Sequence, residues 1–328
     1  MRLVSSRSRR TSIVVAAALL LPFNGALLSS PAGADSPEGH SQAVYDSTVR
    51  PLPSNLPSQP FQAQQTSEFG NQIALGGTLR DLKNVVVTMS SWGCQSGGWN
   101  SQDCVTTPGA SFSEPITLNL YQVGPAGAVG SLIATATRTF NIPYRPSASG
   151  STLCPTSPGK WYSARDHTCS NGLALNITFK FSSLVQLPDA LIFGIAYNTS
   201  GFGATPYGYG TACALSTAGC GYDSLNVALA TVNPQPTVGS DPLPGTVYWN
   251  TSTPSDYCDG GTAGSSIFRL DSPSNACWGV NAPYTISPYY VPAVQFNVSG
   301  NDHSNGDGGD GHANGGDSGQ GNGNGREG

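Results

Sequence analysis

Residues 173–181 read LALNITFKF. Leu173, Leu175, Ile177, Phe179 and Phe181 fall on one side of this segment. Asn176, Thr178 and Lys180 fall on the other. Side chains of a strand alternate between its two faces, so this spacing predicts a strand with one buried and one wet side. Residues 116–123 (ITLNLYQV) repeat the pattern, with Ile116, Leu118, Leu120 and Gln122 opposite Thr117, Asn119, Tyr121 and Val123. Residues 190–197 (ALIFGIAY) are apolar without interruption, which predicts a central strand covered on both faces. Further strands are expected at 82–89 (LKNVVVTM), 132–141 (LIATATRTFN, after a Gly-Pro-Ala-Gly turn), 224–232, 246–249, 267–270 and 291–298. About nine strands result, and no segment keeps a helical period over eleven residues or more. The fold class is all-β. We expect a two-sheet β-sandwich of jelly-roll type with long disulfide-stapled loops, a single domain over 61–298.

Composition agrees. Only 10% of the 328 residues are charged, against about 25% in an average globular protein, while Gly (41) and Pro (25) are abundant. Such a chain makes many turns and few salt-bridged surface helices. The formal charge is −5. An acidic chain lacks the basic patches that nucleic acid or an anionic membrane requires.

The two ends read differently from the body. Residues 1–34 resemble a secretory signal peptide: Arg2, Arg7, Arg9 and Arg10 form a positive start, an apolar stretch runs over 13–28, and Ala32-Gly33-Ala34 is a cleavage pattern that leaves Asp35 first. The competing reading is an uncleaved anchor, disfavoured by the Pro22, Asn24 and Gly25 interruptions. Arg9-Arg10 hints at twin-arginine export, but Thr11 and Ser12 break the pattern. No second apolar run is long enough to span a membrane. Residues 35–60, with five prolines, predict an extended lead-in. Residues 299–328 contain no large apolar side chain and predict a disordered Gly/Asn/Asp-rich tail. Asp302, Asp307, Asp310, Asp317, His303 and His312 give that tail a weak cation-binding alternative. The protein is therefore expected to be secreted and extracellular, with its oligomeric state left open.

All eight cysteines lie in the body, as four close pairs beside turn residues. In an exported chain this predicts the disulfides Cys94–Cys104, Cys154–Cys169, Cys213–Cys220 and Cys258–Cys277. A zinc site would need tighter ligand spacing, and no C-x-x-C is present.

Catalytic motifs are missing. There is no G-x-S-x-G, H-E-x-x-H, phosphate loop or dinucleotide fingerprint. His167, the one histidine well inside the body, sits in a cysteine loop without a nucleophile motif, and His40 lies at its edge. Loop acids such as Asp103, Asp166, Asp189 and Asp241 could serve a glycosidase-like pair, but turn-forming Asp looks the same in sequence. Aromatics are the stronger lead. Trp99, Trp161, Tyr162, Trp249 and Tyr257 stand near the cysteine loops among Asn, Gly and Ser, where ring faces suit stacking on sugars. The bland alternative is that they cover the disulfides and close the sandwich ends. Trp92 is expected to be more buried than Trp99.

The stretches TSEFGNQIALGG (66–77), LKNVVVTMSSWGCQSGGWNSQDCVTTPGASFSEPITLNLYQVG (82–124), TRTFNIPYRPSA (137–148) and CGYDSLNVAL (220–229) resemble a family of uncharacterised exported proteins of actinobacteria. The resemblance covers most of 43–298 and implies secretion and a shared β domain. It carries no activity. More distantly, LYQVG (120–124) and GSLIAT (130–135) are similar to jelly-roll domains of bacterial surface proteins.

Together these observations favour a non-catalytic binding module for a glycan or cell-envelope polymer. A secreted hydrolase using loop carboxylates and a purely structural envelope protein are the alternatives. No cofactor is implied, and a structural calcium ion on loop oxygens has no ligand set that can be named.

Overall fold

The strands run in chain order as β1 (Ser41–Asp46), β2 (Ser58–Gln59), β3 (Thr66–Ala74), β4 (Leu82–Ser91), β5 (Ser111–Val123), β6 (Val129–Pro143), β7 (Trp161–Ser163) and β8 (Thr168–Ser170). They continue as β9 (Leu173–Phe179), β10 (Ala190–Ala196), β11 (Leu225–Ala228), β12 (Tyr248–Thr251), β13 (Arg269–Leu270) and β14 (Val294–Ser299), with one short helix, α1 (Gly150–Leu153). The computed structural model describes residues 41–61, 66–99, 102–197, 225–230, 236–244, 246–251, 267–270 and 291–300. Among these no helix is long and apolar enough to cross a membrane.

Two antiparallel sheets form a sandwich. In sheet I, β9 lines one edge of β4, while β14 and β11 share the other edge in tandem; β1 then pairs with β14 and β2 with β11. Sheet II has the order β13-β12-β3-β10-β5-β6. The alternation read from sequence sets which side chains meet. Val85, Val87 and Met89 of β4 and Val294, Phe296 and Val298 of β14 face Leu118 and Leu120 of β5 and Leu191, Phe193 and Ile195 of β10 in one core. Rings meet across the interface, Phe193 with Phe296 at 5.7 Å and Phe140 with Phe179 at 5.1 Å between centroids. Each such ring, removed from water, stabilises the fold by about 1.5–3 kcal/mol.

β10 is central, between β3 and β5, as its unbroken apolar run predicts. Its outward Ile192 is also buried, beneath Tyr248 and Phe268. β9 follows its expected faces at Asn176–Phe179 but ends two residues before Phe181, and its first residues, Leu173 and Leu175, are only half-buried.

Three expectations need correction. The polar segment 35–60 does not lie outside the domain: its described part supplies β1 and β2 to sheet I, with Val44 and Tyr45 in the core. β3 was absent from the expected strands because it carries Glu68, Gly70, Asn71 and Gln72. Glu68 and Asn71 are nonetheless buried, through hydrogen bonds rather than apolar contact. The stapled loop between β6 and β9 holds a further hairpin, β7–β8.

Candidate functional site

Two loops meet at the end of the sandwich. The first joins β4 to β5 and is closed by Cys94–Cys104, with Cα atoms 5.5 Å apart and Ser96 bridged to Val105. The second joins β6 to β9 and is closed by Cys154–Cys169, with Cα atoms 5.9 Å apart. Both pairings match those read from the sequence. Cys213, Cys220, Cys258 and Cys277 lie outside the described residues.

Backbone bonds join the loops. Arg145 N donates to Gly93 O (2.9 Å), Ala148 N to Cys104 O (2.9 Å) and Thr106 N to Ser147 Oγ (2.9 Å). The Arg145 side chain, fully buried, does more. Its Nη1 donates to Trp99 O (2.8 Å), its Nη2 to Gly159 O (2.8 Å) and its Nε to Pro146 O (3.2 Å). A planar guanidinium presents donors in fixed directions, so one side chain holds both loops in register.

A groove of about 500 Å³ lies at this junction. Trp99 and Gln102 line it from the first loop, residues 157–160 and Asn171 from the second. The second wall is a tight turn, with Lys160 N donating to Ser157 O and Ser149 N to Lys160 O, both 2.9 Å. Trp99 is half-buried and packs edge-on against Trp92, with centroids 4.8 Å apart. Trp92, also half-buried, is fixed by its Nε1 donating to Ser90 Oγ (3.0 Å), which donates to Asn55 Oδ1 (2.7 Å). Gly172 completes that layer, because a Cβ there would overlap Ser90 Oγ, Trp92 Nε1 and Asn55 Oδ1. The buried Nε1 of Trp99 has no hydrogen-bond acceptor among the described residues.

The other aromatics read from sequence separate. Trp249 is 2% exposed, lies in the core and donates from Nε1 to Thr66 Oγ1 (2.9 Å). Trp161 is 7% exposed and donates to Gly172 O (2.7 Å). Neither presents a ring face to solvent, so both are corrected from ligand-binding to structural residues. Tyr162 points away from Trp161 on the same strand, is half-buried, and its hydroxyl lies 3.1 Å from Nδ1 of the exposed His167. It does not line the groove. Tyr257 lies outside the described residues, as do His40 and the acidic tail. The groove also contains Gln102, Lys160 and Asn171, which the sequence reading passed over. Gln102 precedes Cys104 by two positions and Asn171 follows Cys169 by two. Polar side chains that close to half-cystines were the available signal.

The acids are committed elsewhere. Asp166 accepts from Ser54 N and from Arg165, whose guanidinium holds it well below the usual carboxylate range. Asp189 pairs with Arg80, Asp81 accepts from Gln186, and Asp103 accepts from Gly98 N (3.1 Å). Asp241 accepts from Leu243 N and Asn71, and its burial raises its pKa. Asp223, Asp256, Asp259 and Asp271 lie outside the described residues. Glu68 is the carboxyl on the outer face of sheet II. Its Oε1 accepts from Asn119 Nδ2 and Tyr121 OH, both 2.9 Å, and burial raises its pKa. Among the described residues no three His, Cys, Asp or Glu gather as a metal site.

No protein-family model, curated protein or solved structure matches this chain.

Proposed function

We propose that the protein is an exported, non-catalytic binding module whose groove between the two stapled loops takes a glycan or related cell-envelope polymer. The groove carries the reading: a half-buried indole beside amide, hydroxyl and ammonium side chains, on a floor fixed by two disulfides and a buried arginine. Sugar rings offer apolar C–H faces to indole and hydroxyls to amides, and a rigid site loses little entropy on binding. The disulfides fit an oxidising compartment outside the cytoplasm. The order β1-β14-β4-β9 in one sheet and β3-β10-β5-β6 in the other supports reading the sandwich as a jelly roll. The hydrogen bonds and ion pairs that already engage Asp103, Asp166, Asp189 and Asp241 weigh against hydrolysis by these acids.

Affinity electrophoresis through gels containing soluble polysaccharides, with pull-down on insoluble cell-wall preparations, tests the reading. Retention by at least one polymer is expected, and Trp99→Ala should lower it about tenfold or more with the fold intact. Retention unchanged in Trp99→Ala, or none on any polymer, would overturn it.

A further inference from the structure

We infer that this groove selects saccharides whose rings carry an acidic group, with the ring against Trp99 and the anion against Lys160; the inference rests on the function just proposed. Most described cations are already engaged. Arg50 pairs with Asp46, Arg80 with Asp189 and Arg165 with Asp166, while Arg138 donates to Lys180 O. Lys160 is different. It is half-buried in the groove wall, and among the described residues no carboxylate lies within ion-pair reach of it, although the chain carries a net −5. The nearby acid of the facing loop, Asp103, turns back to accept from Gly98 N. An ammonium in a groove wall with no carboxylate among the described residues to pair with is open to an incoming anion, and that attraction weakens as salt rises.

Position adds to charge. Arg145 holds the carbonyls of Trp99 and Gly159, one residue before Lys160, so the indole and the ammonium are set on a common support. Gln102, Ser157 and Asn171 supply donors and acceptors for ring hydroxyls. Indole for the ring, ammonium for the acid and amides for the hydroxyls together describe a uronate or a phosphorylated sugar better than a neutral one. A bare polyphosphodiester would leave Trp99 without a partner.

The test uses the mature, disulfide-intact protein in affinity gels. The probes are polygalacturonate, alginate and hyaluronan, each beside its carboxyl-reduced neutral form, together with poly(glycerol phosphate), which has charge but no sugar ring. At least one acidic polymer should be retained about tenfold more strongly than its reduced form at low salt, and more strongly than poly(glycerol phosphate). Lys160→Gln should bring that polymer down to the level of the reduced form, and Lys160→Arg should keep the preference. Equal retention of acidic and reduced forms, or a preference that survives Lys160→Gln, overturns the inference and leaves sugar binding standing. Tighter retention of poly(glycerol phosphate) than of every uronate overturns it too. Failure of every saccharide, acidic and neutral, removes the parent reading with it.

Discussion

Replacing Arg145 with methionine keeps the length of the side chain and removes its charge and donors. Two carbonyls then lose strong partners, those of Trp99 and Gly159, each 2.8 Å from a guanidinium nitrogen, while the Pro146 contact at 3.2 Å is weaker. A buried carbonyl left without a donor costs about 1–3 kcal/mol. The released desolvation of the guanidinium offsets part of this, as in other buried charges replaced by apolar groups. A net loss of about 3 kcal/mol follows, or roughly 6–12 °C in Tm for a domain of this size. Urea unfolding followed by tryptophan fluorescence measures it, with an unchanged m value as the check that the denatured state is comparable. Arg145→Lys should lose about half as much, since one ammonium cannot span carbonyls of two loops. Glycan retention should fall in both variants, because Trp99 and Lys160 lose their common support. A loss below about 0.5 kcal/mol with unchanged retention would refute the role given to Arg145.

Other consequences concern the staple, the buried carboxyl and its glycine. Replacing Cys154 and Cys169 by serine frees a 15-residue separation and should cost about 3 kcal/mol, read as a lower urea midpoint that dithiothreitol does not lower further by that same staple. Burial raises the pKa of Glu68, so the folded state holds this proton more tightly than the unfolded chain. Its contribution is full below the ordinary glutamate value and is lost as pH rises through the folded value. Glu68→Gln should therefore raise Tm at pH 7 and leave it near wild type at pH 4; equal effects at both would remove the argument. Gly194 lies under Glu68, and an added Cβ would overlap Oε1, so Gly194→Ala should cost about 1–3 kcal/mol. Glu68→Ala should recover much of that loss, and additive effects in the double mutant would show that the two do not touch.

The sequence was informative where one face is apolar and the other wet. Residues 116–123 show it: Ile116, Leu118 and Leu120 enter the core as their spacing requires. The run over 190–197 was legible as central because Ile192 is covered on the outer face as well. The same double covering, with Tyr248 buried on the opposite face, misled the reading of Trp249. Adjacent residues on opposite faces are both buried there, so a core tryptophan resembled an exposed loop aromatic. β3 was hidden because Glu68 and Asn71 satisfy their polar groups internally, which hydrophobic periodicity does not register. Local cysteine pairing was readable from close spacing. The groove was readable only at Trp99. Its construction depends on Arg145 reaching Trp99 across 46 positions and Gly159 across 14, a pairing that no local pattern encodes.

With five tryptophans in the chain, which indole meets the ligand is directly measurable. With indole-¹⁵N-labelled protein titrated with a retained oligosaccharide, the Nε1–H resonance of Trp99 should move progressively, and that of its edge-on neighbour Trp92 to a smaller degree. The resonances of Trp161 and Trp249, held inside by Gly172 O and Thr66 Oγ1, should stay in place. A titration that shifts Trp161 or Trp249 and leaves Trp99 still would contradict the groove as the binding site.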